Sequence, residues 1–197
     1  MSSWRVAHSL DNLLAEINAA APKRSKVSDG SIGDQAHRQR VSEHNPDRYG
    51  VVAARDYTHD PAHGADMAKL SLFLVANPHP ALWYVIFRGR IANRKNGFKW
   101  VKYTGTNPHN HHMHVSTGPH SAYDDRMPWG AALAWRAPQK LRVGARGGDV
   151  PFLQRLLKVP QTGVVDVTTL AAIKKYQGAH KLAVDGIVGP KTWGMLL

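Results

Sequence analysis

The sequence predicts an alpha+beta domain with a small antiparallel sheet, followed by an all-alpha module of three helices. Three observations carry this. Short apolar runs rich in β-branched or aromatic residues occur at 51–54, 82–87 and 113–116. Helix-sized apolar segments lie before and between them, at 9–21 and 63–76. Beyond residue 137 only helix-sized segments remain, which separates the two classes along the chain.

In order, residues 9–21 place Leu10, Leu13, Leu14 and Ile17 on one face and stop before Pro22, so they read as a first amphipathic helix. Residues 23–34 are polar, basic and Gly/Ser-containing, which predicts a loop. The run at 51–54 is the first strand. Residues 63–76, with Met67, Leu70, Leu72, Phe73 and Leu74, form a helix to cover the sheet, and 82–87 and 113–116 add two strands. Residues 123–135 read as a turn and a short apolar helix. The basic, glycine-containing stretch around Pro138 marks a boundary near residue 137, giving domains 1–137 and 138–197. In the second, helices at 149–158, 166–176 and 190–197 share Leu153, Leu156, Leu157, Leu170, Ile173 and Trp193 as a core. Asp149 and Asp166 stand at N-cap positions, and Gly189-Pro190 opens the last helix. A module of about 60 residues folds with little to spare.

Composition narrows the chemistry. Of 197 residues, 26 are Lys or Arg, 14 are Asp or Glu, 12 are His and none is Cys. Disulfides, thiolate ligands and a cysteine nucleophile are excluded, leaving imidazole and carboxylate for any transition metal. The net charge of +12 suits an anionic partner: nucleic acid, anionic lipid or anionic cell wall. The basic groups Arg38/Arg40, Arg88/Arg90 and Lys95/Lys99/Lys102 follow no nucleic-acid motif, so no specific nucleic acid is expected. The sequence has neither a signal-peptide pattern nor an 18-residue apolar run, so no membrane insertion is expected. GxxxxGK[ST] and GxGxxG are absent, and Ser42-Glu43-His44 lacks the context of a hydrolase triad.

Charge divides evenly between the domains, since residues 139–197 hold 9 Lys/Arg and 3 Asp, but histidine does not: His180 alone lies in the second. Four imidazoles fall within 109–114. If 113–116 is a strand, His112 and His114 project from one face and Met113 and Val115 from the other, with His109 and His111 entering from the loop. Upstream, His59 and Asp66 are separated by six residues spanning Pro61 and Gly64, a loop able to return both side chains to one point. His59, Asp66 and one downstream His would supply three N/O ligands and leave a fourth position to water, the stoichiometry of catalytic zinc. Zinc lowers the pKa of bound water toward about 7 and polarises an amide carbonyl, and a nearby imidazole would carry the proton. The same residues also admit a surface cluster, with His59 and Asp66 capping or pairing locally.

The His-x6-Asp element and the His-x-His strand resemble the zinc peptidases grouped around D-alanyl-D-alanine carboxypeptidases, lysostaphin-type enzymes and the sonic hedgehog zinc domain. The resemblance is nearest to peptidase family M15-like endolysins of the actinobacteriophage kind. It implies Zn2+ held by His59, Asp66 and His114, with His112 as the active-site histidine and His109 assisting it. Many relatives carry Asp or Glu three residues before the last ligand, where this chain has His111; His112 is therefore the expected base, with His111 as the alternative. A neutral imidazole base would lose activity in acid. Arg90, ahead of Arg88, is the candidate for binding substrate. His44, in Ser-Glu-His-Asn-Pro, either faces substrate or bonds within its turn; His63 either supports the ligands from behind or lies at the surface.

The segments 141–150, Leu153-Gln154, Gly163 and 184–193 resemble a peptidoglycan-binding helical module, with Trp193 as a core plug and Asp185 as a turn residue. Together the two resemblances imply a phage-type endolysin. It would cut an amide in a peptidoglycan stem peptide, first the L-alanyl-D-glutamate bond, with D-alanyl-D-alanine-type carboxypeptidase or crosslink cleavage as the alternative. A noncatalytic, zinc-containing wall-binding protein is the competing class. The implied partner is bacterial peptidoglycan. The implied state is a monomer that accumulates in host cytoplasm and reaches the wall once a holin permeabilises the membrane.

Overall fold

The computed structural model describes residues 4–33 and 42–197. The chain divides into two compact units, with the boundary between Trp135 and Arg136. The first is alpha+beta and the second is all-alpha with three helices.

The first unit opens with strand β1 (Arg5–Val6), which pairs in parallel with β2 (Val51–Val52). Between them, helix α1 (His8–Ala20) buries Leu10, Leu13 and Ile17, the i, i+3, i+7 stripe visible in the sequence. The main sheet consists of β3 (Ala54–Thr58), β4 (Leu82–Phe87), β5 (Arg90–Asn93), β6 (Val101–Lys102) and β7 (His112–Thr117). Its order is β3-β7-β4-β5-β6, and every neighbouring pair is antiparallel. The apolar run at 51–54 is thus shared between β2 and the start of β3. Arg88 and Gly89 close the β4–β5 hairpin with φ of 47° and 68°, the left-handed pair that a two-residue turn between twisted strands requires.

One sheet face carries Tyr57, Val85, Met113 and Val115 into the core, with α1 and helix α2 (Met67–Ala76). The Tyr57 hydroxyl donates to the Leu10 carbonyl at 3.1 Å. Helix α2 begins four residues later than the sequence suggests: Pro61–His63 forms a separate 3-10 turn, Gly64 takes φ 89°, and Asp66 caps the helix proper. Residues 123–135 fold back over α1, where buried Trp129 donates through Nε1 to the Ser9 carbonyl at 2.8 Å. The Glu16 carboxylate accepts from the amides of Trp129 and Ala131. The apolar helix expected there is a 3-10 turn, Ala131–Ala134.

In the second unit, α3 (Asp149–Leu156), α4 (Val167–Ala179) and α5 (Pro190–Leu196) enclose Phe152, Leu153, Val165, Ile173, Val188 and Trp193. Asp166 caps α4 by accepting from the Thr169 amide. Asp149 does not act as an N-cap: Gly148 holds that position, and the buried Asp149 carboxylate binds the Arg136 guanidinium and the Gln139 amide. A repeat with a 23-residue offset organises the turns. Gln154 accepts from the Gly163 amide and donates to the Thr169 hydroxyl. Gln177 likewise accepts from the Gly186 amide and donates to the Thr192 hydroxyl. Both glycines are left-handed, at 71° and 74°. Among the described residues, no helix is long and apolar enough to cross a membrane.

Candidate metal centre

The antiparallel register of β3 and β7 sets Asp56 opposite His114 and Thr58 opposite His112. Because strand side chains alternate, His112, His114 and Ser116 share a face with Asp56, and with Tyr84 and Ile86 across β4. This is the face turned away from α1 and α2. His44 is fastened beside it by backbone bonds on either side. The Gly33 amide donates to the His44 carbonyl, and the Ala53 amide donates to that of Glu43. The Ser31 carbonyl, 2.8 Å from His44 Nδ1, requires a proton on that nitrogen and so presents the Nε2 lone pair to the sheet.

Three ligand atoms then converge. His44 Nε2 lies 3.1 Å from His114 Nδ1, His114 Nδ1 lies 3.0 Å from Asp56 Oδ1, and His44 Nε2 lies 3.5 Å from Asp56 Oδ1. Tetrahedral ligands about 2.0–2.1 Å from a zinc ion stand roughly 3.3 Å apart, so this triangle fits one such cation. The Ser116 hydroxyl sits 3.4 Å from His114 Nε2, where it can hold the ring with Nδ1 facing the cluster. Tyr84 stacks on His114 at 5.4 Å between centroids.

The electrostatics suit a cation. Burial alone would raise the Asp56 carboxyl, but hydrogen bonds and charge from His114 and His44 outweigh it and hold the group well below the usual carboxylate range. Burial likewise opposes charge on His44, yet its contacts with Asp56 leave its pKa raised. Asp56 is thus an anion that draws positive charge to this point.

A second pair of rings stands beside the first cluster. His109 occupies a left-handed backbone position, φ 56°, with its amide donating to Asn107 Oδ1 at 2.9 Å. Such a conformation is uncommon for a side-chain-bearing residue, and here it belongs to a ring packed 5.0 Å from His112 and 5.3 Å from His114. His109 Nδ1 and His112 Nε2 are buried without a hydrogen-bond partner, and His112 Nε2 is 3.6 Å from Asp56 Oδ2. Burial, reinforced by the charge of His114, pushes His109 down to about 4; burial also lowers His112. Both are therefore neutral acceptors near pH 7. His44, Asp56, His109, His112 and His114 line one cleft of about 400 Å3, together with Glu43, Tyr84, Tyr103 and Asn107.

The structure does not bring His59 or Asp66 to His114. His59 Nδ1 accepts from the Met67 amide at 3.1 Å, and its Nε2 lies 3.0 Å from an Arg88 guanidinium nitrogen. The Asp66 carboxylate accepts from the amides of Ala68 and Lys69 at the start of α2. The His-x6-Asp element is thus spent on starting a helix, and neither residue belongs to a ligand cluster among the described residues. His111 is exposed on the loop, and its carbonyl accepts from the His59 amide. Arg90 lies over Trp100 in a separate pocket of about 190 Å3 with Arg88 and Phe87, outside the cleft. His63 pairs with Asp60 at the surface. His44, expected to face substrate, is a member of the ligand triangle. Arg38 and Arg40, and residue 34 at the end of the expected loop, lie outside the described residues.

Asp56 escaped sequence reasoning. Its available signal is alternation: an acid at the centre of 54–58, on the face opposite the core residue Tyr57. What sequence could not supply is the register that sets it across from His114, 58 positions away.

Residues 146–196, spanning all three helices of the second unit, match the family described as "Putative peptidoglycan binding domain". No curated protein and no solved structure matches the chain significantly. The chain thus carries a C-terminal peptidoglycan-binding module and, in its first unit, a His/Asp cluster with the geometry of a metal-binding site.

Proposed function

We propose that this chain is a zinc-dependent peptidase of bacterial peptidoglycan, an endolysin of the M15-like phage type, which hydrolyses the L-alanyl-D-glutamate bond of the stem peptide. The observation that carries the reading is the triangle of His44 Nε2, Asp56 Oδ1 and His114 Nδ1, of a size to hold zinc at the edge of an open cleft. Two nitrogens and one carboxylate oxygen, with no thiolate, are the ligand set of a hydrolytic rather than a structural zinc. A bound zinc would polarise the scissile carbonyl and bring the pKa of its water toward about 7.

The chain's own groups do the rest. His112, whose Nε2 is buried without a hydrogen-bond partner, accepts the proton of the attacking water in its neutral form, and neighbouring His109 assists the transfer to the leaving amine. The Tyr84 hydroxyl donates to Glu43 Oε2 at 2.9 Å, which fixes the cleft wall on which His114 stacks. The charged side chains of the described lining, apart from histidine, are Glu43 and Asp56. The second unit retains the enzyme on the wall, and its surplus of cations adds attraction that salt will screen. In this reading the monomer accumulates in host cytoplasm and reaches its substrate after holin action.

The test is mass spectrometry of muropeptides from sacculi treated with the zinc-loaded chain. New L-alanine carboxyl ends and D-glutamate amino ends are expected. Release of single D-alanine would move the assignment to carboxypeptidase, and unchanged muropeptides at stoichiometric zinc would overturn the enzymatic reading.

A further inference from the structure

We propose that His109, His112 and the second carboxylate oxygen of Asp56 form another divalent-cation site, weaker than the first, whose filling silences the cleft. The two oxygens of Asp56 face different histidines: Oδ1 is 3.0 Å from His114 Nδ1, and Oδ2 is 3.6 Å from His112 Nε2. One donor atom from each of Asp56, His109 and His112 lies within 4.8 Å of the others, a set parallel to the His44/Asp56/His114 set and joined to it through Asp56. His109 is more than nine-tenths buried, yet its Nδ1, like His112 Nε2, has no hydrogen-bond partner. Buried polar nitrogens are rarely left so, because burial without a partner costs the full desolvation of the group. A cation would satisfy both.

The site is the weaker one for two reasons. Its only anionic ligand is already committed to the first cluster, and two dications on one carboxylate repel each other. Binding there engages the lone pairs of His109 and His112. Under the reading that these rings carry the proton, excess metal inhibits; the binding itself does not depend on that reading.

The experiment is calorimetric titration of the metal-free full-length chain with Zn2+, repeated on His44→Ala, His112→Ala and His109→Asn; asparagine tolerates the left-handed backbone at 109. Two events are expected, the second at least about tenfold weaker. His109→Asn and His112→Ala should each remove the second and keep the first, while His44→Ala should weaken the first. Hydrolysis by the unmodified chain should rise with the first equivalent of zinc and fall with the second. A single event shared by the unmodified chain and His109→Asn overturns the second site while leaving the peptidase reading intact. A second event that survives both substitutions belongs to surface histidines and overturns it equally. Absence of any binding overturns both clusters.

Discussion

Replacing Asp66 by Asn and, separately, by Ala tells a helix cap from a metal ligand. The Asp66 carboxylate accepts from the Ala68 amide at 2.9 Å and from the Lys69 amide at 3.3 Å, at the start of a helix whose Met67, Leu70 and Leu74 are fully buried. Ala removes both bonds and should cost about 1 kcal/mol, within the range of about 0.5–2 kcal/mol measured for such caps. For a unit of this size that lowers the melting temperature by roughly 2–6 °C. Asn keeps an acceptor of nearly equal capping strength and loses only the charge at the helix N-terminus, about 0.3–1 kcal/mol. The assay is thermal melting followed by circular dichroism, paired with zinc content after dialysis. Both variants should retain zinc, and Ala should be the less stable. An Asn variant that melts like the unmodified chain but holds no zinc would refute the cap assignment and restore Asp66 as a ligand.

Asp29 ties the loop after α1 to β3, accepting from Arg24 and from both the amide and the hydroxyl of Thr58. Burial would raise its carboxyl, but those bonds win and lower it. Its contribution is therefore full above the unfolded value of about 3.9 and is lost as pH falls through the lower folded value. Asp29→Asn should cost about 3 kcal/mol at pH 7, leaving buried Arg24 without its charge partner, and the gap to the unmodified chain should close in acid; a pH-independent gap in urea melts would count against the ion pair. In the second unit, an added Cβ at Gly186 would stand 2.5 Å from a Leu170 methyl, whereas at Gly163 it would meet open space; both positions are left-handed. Gly163→Ala should cost about 1 kcal/mol of backbone strain and Gly186→Ala roughly 1–3 kcal/mol more. Equal melting temperatures for the two would contradict the packing at Leu170.

The parts of the fold legible in the sequence are those set by local period. The Leu10, Leu13, Ile17 stripe marks α1, and alternation in 112–116 puts His112 and His114 on one face. Strands β5 and β6 escaped because they are too short to show an apolar period: β6 is two exposed residues, and β5 has four, of which only Ala92 is buried. The glutamine repeat was legible but unread: Gln154, Gly163 and Thr169 have the same spacing as Gln177, Gly186 and Thr192. At the metal centre, spacing alone could not separate two uses of a carboxylate. An aspartate directly before an apolar helix is a cap by local chemistry, and Asp66 is one. Asp56 and His44 meet His114 through sheet pairing and loop return over 58 and 70 positions, which no local pattern encodes.

The central claim is the identity of the metal ligands, and zinc content per chain in Asp56→Ala beside His59→Ala tests it most directly. The account predicts that His59→Ala binds zinc as the unmodified chain does and that Asp56→Ala, although folded, binds none tightly. Zinc retained by Asp56→Ala and lost from His59→Ala would contradict it.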